Sequence, residues 1–188
     1  TYFENTKSTD LISGPILIDD MSVMADQFAD VWRDEMWGIW DLSVKCLSDG
    51  PTEDMPIIDR QKKLTCQPNG QLCPYEIGAM GLGLFACLKS AWLGFNPLFR
   101  GFGGEEWYIH TKYRNAKRKC LCLPWLRWNH RFGRPDGISY TMSMEHKVRN
   151  YIIGHNELGI SLDRLYEHFV ASNKLSKQSW DWLVADPV

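Results

Sequence analysis

Two adjacent glutamates, Glu105 and Glu106, follow the glycine pair Gly103-Gly104 where a glycine-rich turn, beginning near Gly101-Phe102, gives way to a helical pattern. Carboxylates held at a helix start stand on a rigid element beside unpaired backbone N–H groups, which suits the rim of a reactive site. When a group is transferred to a hydroxyl, one carboxylate can take the proton of the attacking oxygen while a second orients neighbouring hydroxyls. On its own the pair reads as the cap of a surface helix, and the positive end of the helix dipole opposes any rise in its pKa.

Further along, His130 follows an apolar stretch from Cys120 to Trp125. A neutral imidazole at a strand end can ligate Mn²⁺ or Mg²⁺, with Mn²⁺ preferred; wedged between Trp128 and Phe132 it is instead a packing residue. Of the nearby Arg127, Arg131 and Arg134, Arg131 is the best candidate to grip a diphosphate, because guanidinium binds phosphate oxygens bidentately. Trp37 and Trp40, with Trp32 and Gly38 beside them, offer flat apolar rings to the C–H face of a pyranose, or else fill the core. His110, four residues after Glu106, would share its helix face. The basic run Lys112, Arg114, Lys117, Arg118 and Lys119 reads as a solvated face.

The elements that must position these groups follow from pattern. Leu11 to Ile18 is an apolar run ending in Asp19-Asp20, consistent with a buried strand entering a polar loop. A loop-like stretch from Ser48 to Gln71 carries Pro51, Pro56 and Pro68. Gly81 and Gly83 lie in a small-residue segment that allows close backbone approach, and Leu84 to Cys87 suits a buried strand. A short helix is expected over Lys89 to Leu93 with Gly94 as its cap, a longer one over Glu105 to Asn115, and a strand over Cys120 to Trp125. Beyond Pro135 the pattern is mainly helical, with Val148, Ile152 and Leu158 before Gly159 and with Leu162, Leu165 and Phe169 after Ser161. Strands interleaved with helices imply an α/β layer.

Composition bounds the function classes. The 188 residues are 44% hydrophobic with a formal net charge of -2, which fits a folded chain and leaves no global field for bulk nucleic-acid binding. No run of eighteen apolar residues occurs, so no membrane span is expected in this segment, and the expectation is a soluble, cytoplasmic protein. The six cysteines are irregularly spaced and read mostly as reduced; Cys66 and Cys73 flank a turn where a pairing is possible, and Cys120-x-Cys122 is a weak zinc signal.

The order of small-residue strand, short helix, Gly-Gly-acid-acid, helix, strand and histidine resembles GT-A glycosyltransferases, family-2-like, especially the polypeptide N-acetylgalactosaminyltransferases and the β-galactosyltransferases. There a Trp-Gly-Gly-Glu-(Asn/Asp) segment precedes a helix and a later histidine binds metal. The likeness spans about Ile77 to Arg134. It implies the C-terminal portion of a GT-A, Rossmann-like mixed-sheet domain over 1–135, followed by a helical C-terminal extension over 136–188. It also implies that Glu105 contacts sugar hydroxyls, that Glu106 serves as base, that Gly81, Gly83, Gly103, Gly104, Trp37, Trp40 and Arg131 bind substrate, and that His130 holds Mn²⁺ or Mg²⁺. Phe102 departs from the usual Trp, and Glu106 replaces the Asp or Asn that indicates stereochemistry.

The implied partners are a nucleotide-sugar donor and a hydroxyl acceptor: a glycan, a protein or a small molecule. The Asp-x-Asp or Asp-x-His motif of those families is not found; Asp19-Asp20 lacks the spacing, and about 30 residues for a nucleotide-binding βαβ unit do not precede it. The expectation is therefore a fragment of a longer transferase, inactive alone. The alternatives are a non-catalytic carbohydrate- or partner-binding module that uses the tryptophans, and a metal-dependent hydrolase built on Glu106, His110 and His130.

Overall fold

The structure, a computed structural model, describes residues 2–34, 36–42, 73–131, 133, 135–140 and 142–186. The expected loop over 48–71 and the Cys66–Cys73 pairing therefore lie outside the described residues. A short helix α1 (Tyr2–Thr6) leads into strands β1 (Leu11–Ser13), β2 (Ile16–Leu17), β3 (Val23–Ala25), β4 (Gln27–Arg33) and β5 (Met36–Asp41). Then come β6 (Tyr75–Glu76), β7 (Phe85–Ala86), a 3₁₀ turn (Lys89–Ala91), helix α2 (Glu105–Asn115), β8 (Cys120–Cys122) and β9 (Trp128–Asn129). Helix α3 (Met144–Leu158), α4 (Asp163–Tyr166) running into a π-type turn (Glu167–Ala171), and α5 (Lys177–Ala185) complete the chain. The fold is mixed α/β, as the interleaved pattern implies.

The expected single strand from Leu11 to Ile18 is two strands, because Gly14-Pro15 breaks it. Its partner breaks in step, between β8 and β9 around Pro124, whose missing N–H cannot continue a ladder. The two segments thus pair in parallel twice: β1 with β8 in register Leu11↔Cys120, and β2 with β9 in register Ile16↔Trp128. The first pair is the centre of a four-stranded sheet of order β6-β8-β1-β7, the second of a three-stranded sheet of order β3-β2-β9. Between them Leu123 N–H donates to the Ser13 carbonyl at 2.9 Å and Trp128 N–H to that of Pro15 at 3.2 Å. A Cβ on Gly14 would stand 1.8 Å from the Leu126 carbonyl oxygen, so only glycine lets the two backbones meet at the kink.

Helix α2 is found at its expected bounds. The shorter helix expected over 89–93 closes only one 3₁₀ turn, with no side-chain cap at Leu88 and with Gly94 leaving it at φ +72°. Helix α3 is set by Ser143, whose side chain accepts from His146 N–H, and by Gly159, left-handed at φ +67°. The helices beyond 135 pack onto the sheet layer, since Tyr108, Ile109 and Tyr113 of α2, Val148, Tyr151 and Ile152 of α3, and Leu165, Phe169 and Leu183 share one core with Leu11, Ile16 and Cys122. Cys120 and Cys122 are buried there; burial pushes the Cys120 thiol up to about 12, so the pair packs as small hydrophobes.

The tryptophan-rich segment is an antiparallel hairpin, β4 with β5, turning at Asp34 in the left-handed region at φ +50°. Two aromatic runs on either side of Asp34-Glu35 are the signal for it in the sequence.

Gly14→Ala should destabilise the protein by about 2 kcal/mol or more, because the clash is with backbone. Urea unfolding reads this as a lower midpoint at unchanged slope. A loss below about 0.5 kcal/mol would show that the double pairing opens at the kink without cost.

Candidate functional site

A cleft of ≈ 480 Å³ opens where α2 begins, with Gly81 and Gly83, Trp40, Trp128, Glu105, Glu106 and His130 in its walls. Both glycines are required by indoles that press on their backbone: added Cβ atoms would lie 2.9 Å from Trp40 Cη2 at Gly81 and 2.2 Å from Trp128 Cη2 at Gly83. Trp128 is held from behind, its Nε1–H donating to the Gly14 carbonyl at 3.1 Å. Trp40 meets Phe28 edge-on at 4.5 Å.

The carboxylates enter through a loop that only glycine allows, with Gly103 at φ +111° and Gly104 at φ +93°. These two glycines sit behind the glutamates: a Cβ on Gly103 would be 2.6 Å from Lys147 Cγ, and Gly104 abuts Tyr151 and Asn150. They shape the site without lining it. Glu105 Oε2 accepts from Gly103 N–H at 2.7 Å, which fixes its rotamer. Burial raises its pKa above the ordinary carboxylate value, offset in part by backbone N–H groups and the Lys147 ammonium.

Glu106 goes further: burial first, then the charge of Glu105, pushes it up to about 8. The helix dipole opposes this rise, as the sequence implies, but a half-charge at a helix end does not offset desolvation of two neighbouring carboxylates.

His130 is placed by the second parallel pair: just beyond β9, its N–H donates to the carbonyl of Leu17 in β2 at 3.1 Å. Its ring leans against Trp128 at 5.5 Å and 57°. At the cleft mouth Phe102 and Tyr140 stack at 5.4 Å and 23°. Tyr140 was not among the sequence candidates; its signal is the run Ile138, Tyr140 and Met142, apolar residues in a non-helical stretch that all stand exposed.

Several candidates fall elsewhere. Trp37 is only 6% exposed and is not part of this cleft: three residues from Trp40 along a strand, it projects from the opposite face of the hairpin and donates Nε1–H to Asp30. Arg131 is exposed and does not line the cleft. His110 is buried in the core, where Nε2 accepts from Met80 N–H at 3.2 Å and Nδ1–H therefore donates to the Glu106 carbonyl at 2.7 Å. Burial lowers its pKa to about 4, so it is a neutral packing histidine rather than a partner of the Glu106 carboxylate. Asp20 accepts from Ser22 N–H at 2.8 Å in a tight turn, outside the cleft.

Among the described residues no group of three or more His, Cys, Asp or Glu side chains is close enough to hold a metal ion. His130 alone does not make a Mn²⁺ or Mg²⁺ site. Likewise no described helix is long and apolar enough to cross a membrane. No family model matches the sequence, and no curated protein matches it.

The raised Glu106 pKa makes stability depend on pH with a defined sign. Between the ordinary value of 4.5 and about 8 the folded state holds a proton that the unfolded chain has released, so this contribution is full below 4.5 and lost as pH rises through 8. Glu106→Gln keeps the shape and removes the ionisation. Its melting temperature should exceed the wild type's by a growing margin from about pH 5 to pH 8, levelling above at roughly ten degrees. A margin that stays flat with pH would mean that Glu106 ionises at an ordinary value.

Proposed function

We propose that this chain carries the acceptor side and the catalytic acids of a GT-A-type glycosyltransferase, which moves a sugar from a nucleotide-sugar to a hydroxyl acceptor. The observation that carries the reading is convergence. Trp40, Gly81, Gly83, Glu105, Glu106 and His130, which lie between positions 40 and 130 and to which the resemblance gives roles in sugar transfer, line one cleft.

In this reading the acceptor hydroxyl oxygen attacks the anomeric carbon as the bond from that carbon to the diphosphate breaks. The hydroxyl proton passes to the ionised Glu106 carboxylate, and the nucleoside diphosphate leaves with the bonding pair. Raised basicity makes Glu106 a better proton acceptor than an ordinary carboxylate, at the cost of a smaller ionised fraction near neutrality. Glu105, with one oxygen tied to Gly103 N–H, is pre-set to orient sugar hydroxyls through the other. Trp40 and the stacked Phe102 and Tyr140 present ring faces to pyranose C–H groups. An acid at position 106 favours inversion.

The aromatic lining also favours a second reading, a non-catalytic carbohydrate-binding module. The hydrolase alternative loses His110, whose two nitrogens are taken by backbone groups.

The intact protein should be assayed with a panel of nucleotide-sugars and hydroxyl acceptors, with and without Mn²⁺ or Mg²⁺. Donor turnover should fall by about 100-fold or more in Glu106→Gln, and kcat/KM should climb with pH on a limb centred near 8. Trp40→Ala should raise the acceptor KM with a smaller effect on kcat. Sugar binding without turnover under every condition would defeat the transferase and leave the module.

A further inference from the structure

On the other face of the hairpin lies a second pocket, of ≈ 370 Å³, bounded by Trp32, Trp37, Trp107, Asp30, His155 and Arg164. Among the described residues Phe28 alone lines both this pocket and the cleft. His155 is 3% exposed and stacks flat on Trp107 at 4.3 Å and 19°. Its Nδ1 lies 2.8 Å from the Ser161 carbonyl, so Nδ1 carries the proton and Nε2 is a bare acceptor. Burial and the Arg164 charge oppose a second proton on the ring. Nε2 is buried, with no hydrogen-bond partner among the described residues. His155 lines the pocket, and an acceptor left so is an uncompensated cost unless a small shift of its ring lets a donor reach it.

We propose that this pocket is a saccharide subsite, in which a ring hydroxyl donates to His155 Nε2 while the indole walls cover the apolar side of the sugar. The polar groups at the rim supply both senses of hydrogen bond, Asp30 accepting and Arg164 donating, and the two already face each other at 3.6 Å. The walls favour a puckered ring over a flat one. Phe28 meets Trp37 at 79°, so these two walls do not make the parallel slot that a nucleobase would fill. The subsite stands apart from the Glu106 cleft and does not depend on the transferase reading.

The test is ¹H–¹⁵N NMR of the indole N–H signals of the whole chain, titrated with the methyl glycosides of glucose, galactose and N-acetylglucosamine. At least one glycoside should shift the Trp107 and Trp32 signals saturably. Binding should be unchanged in Glu106→Gln, which separates this site from the cleft, and weakened about tenfold in His155→Phe, which keeps the ring on Trp107 and removes the acceptor. Should that variant not fold, magnetisation transfer from Trp107 protons to the glycoside C–H protons in the wild type decides the same point. Absence of saturable shifts or transfer with every glycoside, or equal affinity in His155→Phe, overturns the proposal.

Discussion

Parallel pairing of the segment from Leu11 to Leu17 with the segment from Cys120 to Asn129, made twice across one kink, is the constraint on which the rest of the site hangs. Gly14 lets the Leu126 backbone approach, and its own carbonyl takes the Trp128 indole N–H. Trp128 then presses on Gly83 to form the cleft floor, and the next rung of the ladder sets His130 in the wall. The hydrogen bonds are ordinary in strength; their effect comes from joining stretches more than a hundred residues apart, so that one backbone contact places several functional side chains.

Against that frame α2 introduces a conflict that the fold sustains. Two adjacent carboxylates enter where water is scarce, and the devices that favour their ionised forms are local: the helix end, the Gly103 N–H and the Lys147 charge beside Glu105. Burial raises both acids; at Glu105 the Gly103 N–H and the Lys147 charge oppose it, whereas Glu106 bears the repulsion of its neighbour as well. In the proposed transferase reading, these unequal surroundings give one site an orienting carboxylate and a proton acceptor from the same residue type. The stacked core of α2 and α3 beneath them makes the unfavourable placement tolerable.

The hairpin divides the aromatic residues between two concavities. Its strand periodicity sends Trp40 to the cleft and Trp37 to the far side, where Trp107 and His155 complete another wall. Phe28 touches both and packs edge-on against each of the two tryptophans. A segment that looks like one sugar platform in sequence is thus a partition with two faces.

Local chemistry determined what was legible in the sequence. The α/β class, the bounds of α2, the glycine at the end of α3 and the grouping of acids after Gly103-Gly104 all follow from periodicity, caps and glycine's conformational freedom, which act within a few residues. Gly81 and Gly83 read correctly as places of close approach, although which rings approach them did not. What only the tertiary structure decided depends on contacts between distant segments. These contacts break the Leu11 to Ile18 run at Gly14, turn His110 onto Met80 and Trp37 away from the cleft, bring Tyr140 to its mouth, and let burial outweigh the helix dipole at Glu106. Burial and long-range pairing are properties of the packed chain, and no window of sequence contains both partners.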